Sequence, residues 1–548
     1  MKKHLLELKH ITVSFKTRRG NFNAVDNLSL RIKEGEILGI VGESGAGKSI
    51  TGSAILGLIP SPGQLSSGAI FFKGHRIDMN PELVRGSKIS MIFQDPLMSL
   101  NPLRRIGDQL TETILAHSAC SLTEAHKIAI KSLEEVGIDS SRFDSYPHTF
   151  SGGMRQRVVI AMALAPRPAL IIADEPTTSL DVSNQAQVLR LLKKLCKEKK
   201  TSVILITHDM GVIYQTTDRV AVLYEGRLVE VGVTNTVLKN PTQTYTRSLV
   251  EATPKIEAGF FRKSFNQPGG SERKIEEPSN ALVAEKLTRE FDLSPAWFFR
   301  KLSFQQRNRV LAVDTVSFSI KKGETYGLVG DSGSGKSTIA KMVVGLLKPS
   351  SGAITFNGNN LNSSKLSHRE SQKIRSQIQM VFQSPYASLN PRWKIGDILL
   401  EPIKVFGLCS SVSDEQRRVF ELLDQVGLSK NDVEKYPHEF SGGQRQRISI
   451  ARALASKPNV IICDEATSAL DVSIQAQVLN LLRELQQEFS LTYLFITHDL
   501  AVVSSMANNV GVLKNGKLIE EQSSEMLFSK PQHEHTKMLL EAAPTLNT

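Results

Sequence analysis

Short, uninterrupted apolar runs bounded by turn residues recur along this chain. Examples are Ile37-Leu38-Gly39-Ile40-Val41, Ala169-Leu170-Ile171-Ile172-Ala173 and Ser202-Val203-Ile204-Leu205-Ile206. Runs of that length without polar interruption predict strands buried on both faces. Two earlier stretches also read as strands: Leu5 to Phe15, ending in Ile11-Thr12-Val13-Ser14-Phe15, and Leu28-Ser29-Leu30-Arg31-Ile32. Between about 95 and 165 the apolar positions return at helical spacing instead, as in Glu124 to Val136. Apolar strands alternating with helices predict an α/β architecture whose largely parallel sheet is covered on its faces.

The whole pattern occurs twice. The offset between matching positions grows only from 288 (Lys48 to Lys336) to 290 (His208 to His498), so each half carries one complete set of elements in one order. That is duplication of a domain, far longer than any solenoid period. We expect a first domain over 1–255, a linker over 256–280 containing Gln267-Pro268-Gly269-Gly270-Ser271, and a second domain over 281–548. The second half carries extra residues before its glycine loop, including Trp297-Phe298-Phe299-Arg300-Lys301. They read as a base-stacking aromatic or as a small hairpin packed on the sheet.

With 548 residues and 40% hydrophobic content, the chain can form two to four domains with real cores. No apolar run approaches the ~18–20 residues of a membrane span, and Met1-Lys2-Lys3-His4-Leu5-Leu6-Glu7 lacks the apolar core of a signal peptide. The expectation is a cytoplasmic protein that meets membranes through partners. Cys120, Cys196, Cys409 and Cys463 are too scattered for a C-x-x-C site, and Cys463 reads as a small buried hydrophobe. The net charge of +12, without a concentrated basic run, reads as solvated surface, and no nucleic acid is expected.

The candidate chemistry begins at Gly42-Glu43-Ser44-Gly45-Ala46-Gly47-Lys48-Ser49, which returns as Gly330-Asp331-Ser332-Gly333-Ser334-Gly335-Lys336-Ser337. Each copy follows an apolar strand and precedes a helix-like segment, the context that makes G-x-x-x-x-G-K-[ST] a phosphate site. The glycines let backbone N–H groups close on a phosphate chain at a helix N-terminus. Lys48 and Lys336 should reach the β/γ-phosphates, and the Ser49 and Ser337 hydroxyls should meet Mg²⁺.

Four further signals recur downstream of each loop. They are Phe93-Gln94-Asp95-Pro96 and Phe382-Gln383-Ser384-Pro385; Ser151-Gly152-Gly153-Met154-Arg155-Gln156-Arg157 and Ser441-Gly442-Gly443-Gln444-Arg445-Gln446-Arg447; a strand ending in Asp174-Glu175 and in Asp464-Glu465; and Thr207-His208-Asp209 and Thr497-His498-Asp499. With these the sequence resembles the ATP-binding cassette (ABC) ATPases, once per half over nearly the whole chain.

The resemblance implies two P-loop ATPase domains in tandem, each with a mostly parallel sheet and a helical subdomain, using ATP and Mg²⁺. Asp174 and Asp464 would serve the metal with Ser49, Ser337, Gln94 and Gln383. Glu175 and Glu465 would be general bases, while His208 and His498 would bond the γ-phosphate. The S-G-G elements would each close the facing domain's site, so that Ser441 to Gln444 complete the site of Lys48 and Ser151 to Met154 that of Lys336. Asp181 and Asp471 match the family's loop between the two sites, and Phe15 and Phe291 are candidates for stacking on adenine. Met154 stands where the other half has Gln444, and Ala466 where the other has Pro176; neither change removes a catalytic group, so two hydrolytic sites are expected.

Ser99-Leu100-Asn101-Pro102 and Ser388-Leu389-Asn390-Pro391-Arg392 lie where the family contacts coupling helices of membrane subunits. Each half ends in a similar tail, Asn240-Pro241-Thr242-Gln243-Thr244-Tyr245-Thr246-Arg247 and Lys530-Pro531-Gln532-His533-Glu534-His535-Thr536-Lys537. It resembles the tail of the oligopeptide, dipeptide and nickel importers, although the second copy lacks the tyrosine. The implied protein is the ATPase of a peptide importer at the cytoplasmic face of the inner membrane, with two permease subunits and a solute-binding protein. No cysteine lies in either tail, so no iron–sulfur cluster is expected. The alternatives are a nickel importer and a ribosome-associated translation factor; the short 256–280 segment disfavours the latter.

Overall fold

The computed structural model describes residues 4–17, 20–178, 180–254, 256, 279–292, 309–361, 367–468 and 470–544. All but a few residues of the expected 256–280 linker, and the Trp297 to Lys301 segment, lie outside the described residues.

The first half contains β1 (His4–Thr17), β2 (Gly20–Lys33), β3 (Ile37–Val41), β4 (Gly63–Phe72), β5 (His75–Arg76), β6 (Ile89–Ile92), β7 (Leu170–Asp174), β8 (Ser202–Ile206), β9 (Arg219–Tyr224) and β10 (Arg227–Val233). Six of these form one sheet in the order β10-β9-β3-β8-β7-β6. It is parallel from β6 through β9, with β10 antiparallel at the edge. The apolar runs at 37–41, 169–173 and 202–206 are thus three adjacent central strands, as expected of strands buried on both faces.

A second sheet, antiparallel in the order β2-β1-β4-β5, is one that the apolar runs alone did not announce. Its pattern was in the sequence nonetheless. Leu28, Leu30 and Ile32 on β2 are buried, while Ser29, Arg31 and Lys33 point to solvent. That period of two marks a sheet with one face on a core.

The side chains of the parallel strands divide between two cores. Leu170, Ile172, Ile204 and Ile206 pack toward the antiparallel sheet with Leu6, Leu8, Leu28 and Ile32. Ile171, Ala173, Val203 and Leu205 pack toward a helical layer that includes Leu110, Ile114, Ala129, Leu133 and Ile160. Cutting Ile172 back to alanine would cost about 2–5 kcal/mol.

The helices Ile106–His117, Leu122–Glu135 and Gly152–Leu164 supply that second core. Helix Leu122–Glu135 starts at a capping box, in which the Ser121 hydroxyl accepts from Glu124 N and the Glu124 carboxylate accepts from Ser121 N.

The second half repeats the plan with β11 (Asn280–Asp292), β12 (Arg309–Lys321), β13 (Thr325–Gly330), β14 (Ser351–Phe356), β15 (Asn359–Asn360), β16 (Ile378–Val381), β17 (Val460–Asp464), β18 (Thr492–Ile496), β19 (Asn509–Lys514) and β20 (Lys517–Ser523). The sheet orders are β12-β11-β14-β15 and β16-β17-β18-β13-β19-β20. Cys463 is fully buried on β17, and burial pushes its thiol up to about 12. Among the described residues no helix is long and apolar enough to cross a membrane.

Candidate active sites

Each glycine loop leaves the C-terminal end of a central parallel strand, β3 or β13, and runs into a helix, Lys48–Ile55 or Lys336–Val343. The glycine requirement is steric. Gly42 has φ +150°, and a Cβ there would stand 2.2 Å from the Leu223 carbonyl oxygen; Gly47 has φ +88°, with the Ala24 oxygen at 2.3 Å. Gly330 and Gly335 repeat both conditions, against Leu513 and Ala312 at 2.1 and 2.4 Å. Gly47 and Gly335 are also the helix N-caps and offer no side chain to the first N–H groups, which stay available to an anion.

Lys48 is buried, and its Nζ donates to the carbonyl oxygens of Gly42 and Glu43, both at 2.8 Å. Burial holds its pKa below the ordinary lysine value. Lys336 makes the same two bonds, to Gly330 and Asp331, at 2.7 Å.

Asp174 ends β7 and Asp464 ends β17. Ser49 Oγ donates to Asp174 Oδ1 at 2.9 Å, and Ser337 Oγ to Asp464 Oδ1 at 3.0 Å. Burial raises both aspartate carboxyls above their ordinary value. A hydroxyl beside a carboxylate at the mouth of a phosphate loop is a hard-oxygen pair of the kind Mg²⁺ takes together with substrate phosphates.

The next residue, Glu175 or Glu465, has a left-handed backbone, φ +45° or +50°. A bond from its N–H to the Ile206 or Ile496 carbonyl, 2.8 Å in each half, fixes that conformation. Both halves adopt it, so Ala466 in place of Pro176 leaves the turn intact.

Glu175 collects three side-chain donors: Gln94 Nε2 at 2.8 Å, Thr178 Oγ1 at 2.9 Å and His208 Nδ1 at 3.0 Å. Glu465 takes Gln383 Nε2 at 2.7 Å and His498 Nδ1 at 3.3 Å. Burial alone would raise Glu175, but the His208 bond and charge, with Thr178, outweigh it and hold the carboxyl below its ordinary value. Glu465 is lowered by the same balance through His498. Burial opposes charge on the two histidines, yet the facing glutamate raises each above its ordinary value.

The histidines are placed by the residues that follow them. Asp209 caps helix Met210–Thr216, its Oδ1 accepting from Gly211 N at 2.8 Å and Val212 N at 3.1 Å; Asp499 does the same for helix Leu500–Met506. The structure therefore brings Lys48, Ser49, Gln94, Asp174, Glu175 and His208 into one cluster, and Lys336, Ser337, Gln383, Asp464, Glu465 and His498 into its copy.

The S-G-G elements begin exposed helix N-termini, at Gly152–Leu164 and Gly442–Leu454. Ser151 Oγ accepts from Met154 N and Ser441 Oγ from Gln444 N, both at 3.3 Å. Gln444 also accepts from Ser441 N at 3.0 Å, a bond Met154 cannot make; Met154 packs on the helical core instead. Asp181 caps helix Val182–Lys199. Phe15 lies on β1 with its ring against Gly63, and Phe291 on β11 lies 4.8 Å from the Arg289 guanidinium.

Three contacts were missed in the sequence. Thr178 bonds Glu175; Tyr245 Oη accepts from Glu43 N at 3.2 Å; and His535 Nε2 stands 3.1 Å from Asp331 Oδ2. The offset of 290 aligns His535 with Tyr245, which is the signal that would have found the tail contacts.

A family described as "ABC transporter" matches residues 25–178 and 313–468, and one described as "Oligopeptide/dipeptide transporter, C-terminal region" matches 229–279. The glutathione import ATP-binding protein GsiA of Salmonella paratyphi A is 43% identical over 561 residues, covering 98% of this chain and 89% of that protein. The protein of the same name from Escherichia coli K12 is 43% identical over 562 residues, covering 99% and 90%. Among solved structures, the dimeric post-hydrolysis state of the ATP-binding cassette MJ0796 bound to ADP and Pi is 29% identical with a TM-score of 0.39, covering 44% of this chain and 98% of that one. The duplicated cassette, the matched tail and 43% identity along nearly the whole length agree: the chain belongs to the ABC transporter ATPases, as a double ATP-binding protein of the oligopeptide and dipeptide importer family.

Proposed function

We propose that this ATPase energises uptake of a small peptide of the glutathione or dipeptide class, through two permease subunits fed by a solute-binding protein, from the cytoplasmic face of the inner membrane. The observation that carries the proposal is the glutamate held by a glutamine and a histidine in both halves, joined to the oligopeptide-type tail. Exposed apolar side chains beside the expected coupling region support it. Leu97, Met98 and Leu103 are 54%, 85% and 85% exposed, an apolar surface suited to a partner helix.

In this reading the loop N–H groups and Lys48 or Lys336 hold the β/γ-phosphates of ATP, with the S-G-G element of the other half closing each site head to tail. Phe15 and Phe291 would stack on the two adenines. Ser49 with Asp174, and Ser337 with Asp464, would hold Mg²⁺, joined by Gln94 and Gln383; when bound it neutralises phosphate charge as the γ-group departs. Glu175 and Glu465 accept the proton of the attacking water. Glu175 Oε2 carries the Gln94 and Thr178 donors and Oε1 the His208 donor, which leaves one acceptor site of the carboxylate for the water. With Nδ1 against the glutamate, His208 and His498 have Nε2 for a γ-phosphate oxygen.

The test is purification of the native protein from membranes, with and without Glu175→Gln and Glu465→Gln. The proposal expects two multi-spanning subunits to co-purify with either form, and labelled glutathione or dipeptide uptake to fail only in the variant. Ribosomal proteins in place of permeases would overturn it.

A further inference from the structure

We propose that the C-terminal segment of each half straps its own phosphate loop, with Tyr245 and His535 as positioning residues that hold the loop's second residue in a nucleotide-accepting shape. The inference rests on reading the two glycine loops as the ATP sites.

The strap is anchored before it reaches the loop. On β10 the Glu230 carboxylate accepts from Thr242 N at 3.0 Å, Thr242 Oγ1 at 2.7 Å and Gln243 N at 3.3 Å. On β20 Glu520 accepts from Gln532 N at 2.7 Å and His533 N at 3.0 Å. These bonds fix the turn into the last helix, Thr244–Ala252 or Glu534–Ala542, and the second residue of that helix faces the loop. In the first half it is Tyr245, its ring tilted against Tyr224 at 4.4 Å between centroids and its own hydroxyl oxygen accepting from Glu43 N at 3.2 Å. In the second it is His535, 6% exposed, at ion-pair distance from the Asp331 carboxylate, Nε2 to Oδ2 3.1 Å, but not aligned as a hydrogen bond.

The residue held this way is the one on which the phosphate lysine rests. Glu43 O accepts from Lys48 Nζ, and Asp331 O accepts from Lys336 Nζ. Tail, loop and lysine thus form one chain of contacts in each half. A loop ordered beforehand loses less freedom when it closes on a phosphate, so the contact should appear as affinity.

The halves differ in chemistry. A hydroxyl accepting a peptide N–H is indifferent to pH, whereas an imidazole beside a carboxylate is not. The titratable groups acting on His535 are Asp331 from the loop, Lys514 from β19 and His533 at the start of its own helix. Burial lowers its pKa; Asp331 opposes that, and Lys514 and His533 reinforce it, for a net value below the ordinary 6.5. His535 therefore takes up its charge beside Asp331 at lower pH than an ordinary imidazole does.

The experiment measures binding of Mg²⁺ with the non-hydrolysable analogue AMPPNP to the full chain, using Lys336→Ala to isolate the first site and Lys48→Ala the second. Tyr245→Phe, which keeps the ring, should weaken Kd about three- to tenfold, equally at pH 6 and pH 8. His535→Gln should weaken Kd about twofold at pH 8 and by a larger factor as the pH falls below 6, and His535→Tyr should restore affinity without that trend. The ratio of variant to parent removes the analogue's own titration. Unchanged Kd in Tyr245→Phe and His535→Gln, or no rescue by His535→Tyr, would overturn the inference while leaving the site reading intact. Binding that survives Lys48→Ala together with Lys336→Ala would overturn both.

Discussion

His208 Nδ1 and Glu175 Oε1 lie 3.0 Å apart, and the duplicate pair, His498 and Glu465, lies at 3.3 Å. Each partner shifts the other: the histidines are raised and the glutamates lowered despite burial that opposes both charges. A raised histidine stabilises the fold fully below its unfolded value near 6.5 and ceases to do so as pH rises through its folded value. A lowered glutamate contributes above its unfolded value and is lost only in acid.

His208→Ala should therefore be more destabilising at pH 6 than at pH 9. We expect a Tm deficit of about 2–4 °C at pH 6 that shrinks at pH 9, read by calorimetry without nucleotide. A deficit that is larger at pH 9 would mean that the pair is not charged in the folded chain.

The two glutamates are not equivalently held. Thr178 donates to the Glu175 carboxylate at 2.9 Å, whereas Ser468 donates to the backbone oxygen of Glu465 at 3.0 Å. Thr178→Val should let the Glu175 pKa rise, moving the acid limb of the kcat–pH profile up by about half a unit to one unit. Ser468→Ala should leave that limb in place. Phosphate release measured between pH 5 and pH 8 compares the two.

Asp174 has the opposite sign. Burial raises its folded pKa above 3.8, so its charge opposes folding increasingly as pH rises through that value. Asp174→Asn keeps an oxygen to accept from Ser49 and removes the charge. It should raise Tm at pH 7 by about 2–4 °C while abolishing Mg²⁺-dependent turnover. A lower Tm would show that the Ser49 and Lys48 interactions outweigh burial.

Much of this was legible in the sequence because the determining signals are local. The strands at 169–173 and 202–206 are continuous apolar runs, and the structure has them at Leu170–Asp174 and Ser202–Ile206. Gly42 and Gly47 announced a backbone that other residues cannot follow. The antiparallel sheet was less visible, since β1 and β2 are long and bulged, with register shifts near Leu8, Ile11 and Val13 that blur the alternation. Tyr245 stood in the tail pattern and His535 at the matching position 290 residues on, but a phenol and an imidazole share no sequence class, so the pattern did not say that both address the second residue of a glycine loop.

The last prediction concerns Ser441. Its hydroxyl caps helix Gly442–Leu454, and glycines follow it, so the helix start has the form of an anion site with room for close backbone approach. Under the head-to-tail reading that anion is the γ-phosphate held by Lys48. Ser441→Arg fills the space with a long side chain and removes the cap, costing about 1 kcal/mol of helix stability. Trapping labelled nucleotide with vanadate, then separating the halves by proteolysis, should show loss of label from the half containing Lys48 and retention by the half containing Lys336. Loss confined to the Lys336 half would mean that each S-G-G element serves the loop of its own domain.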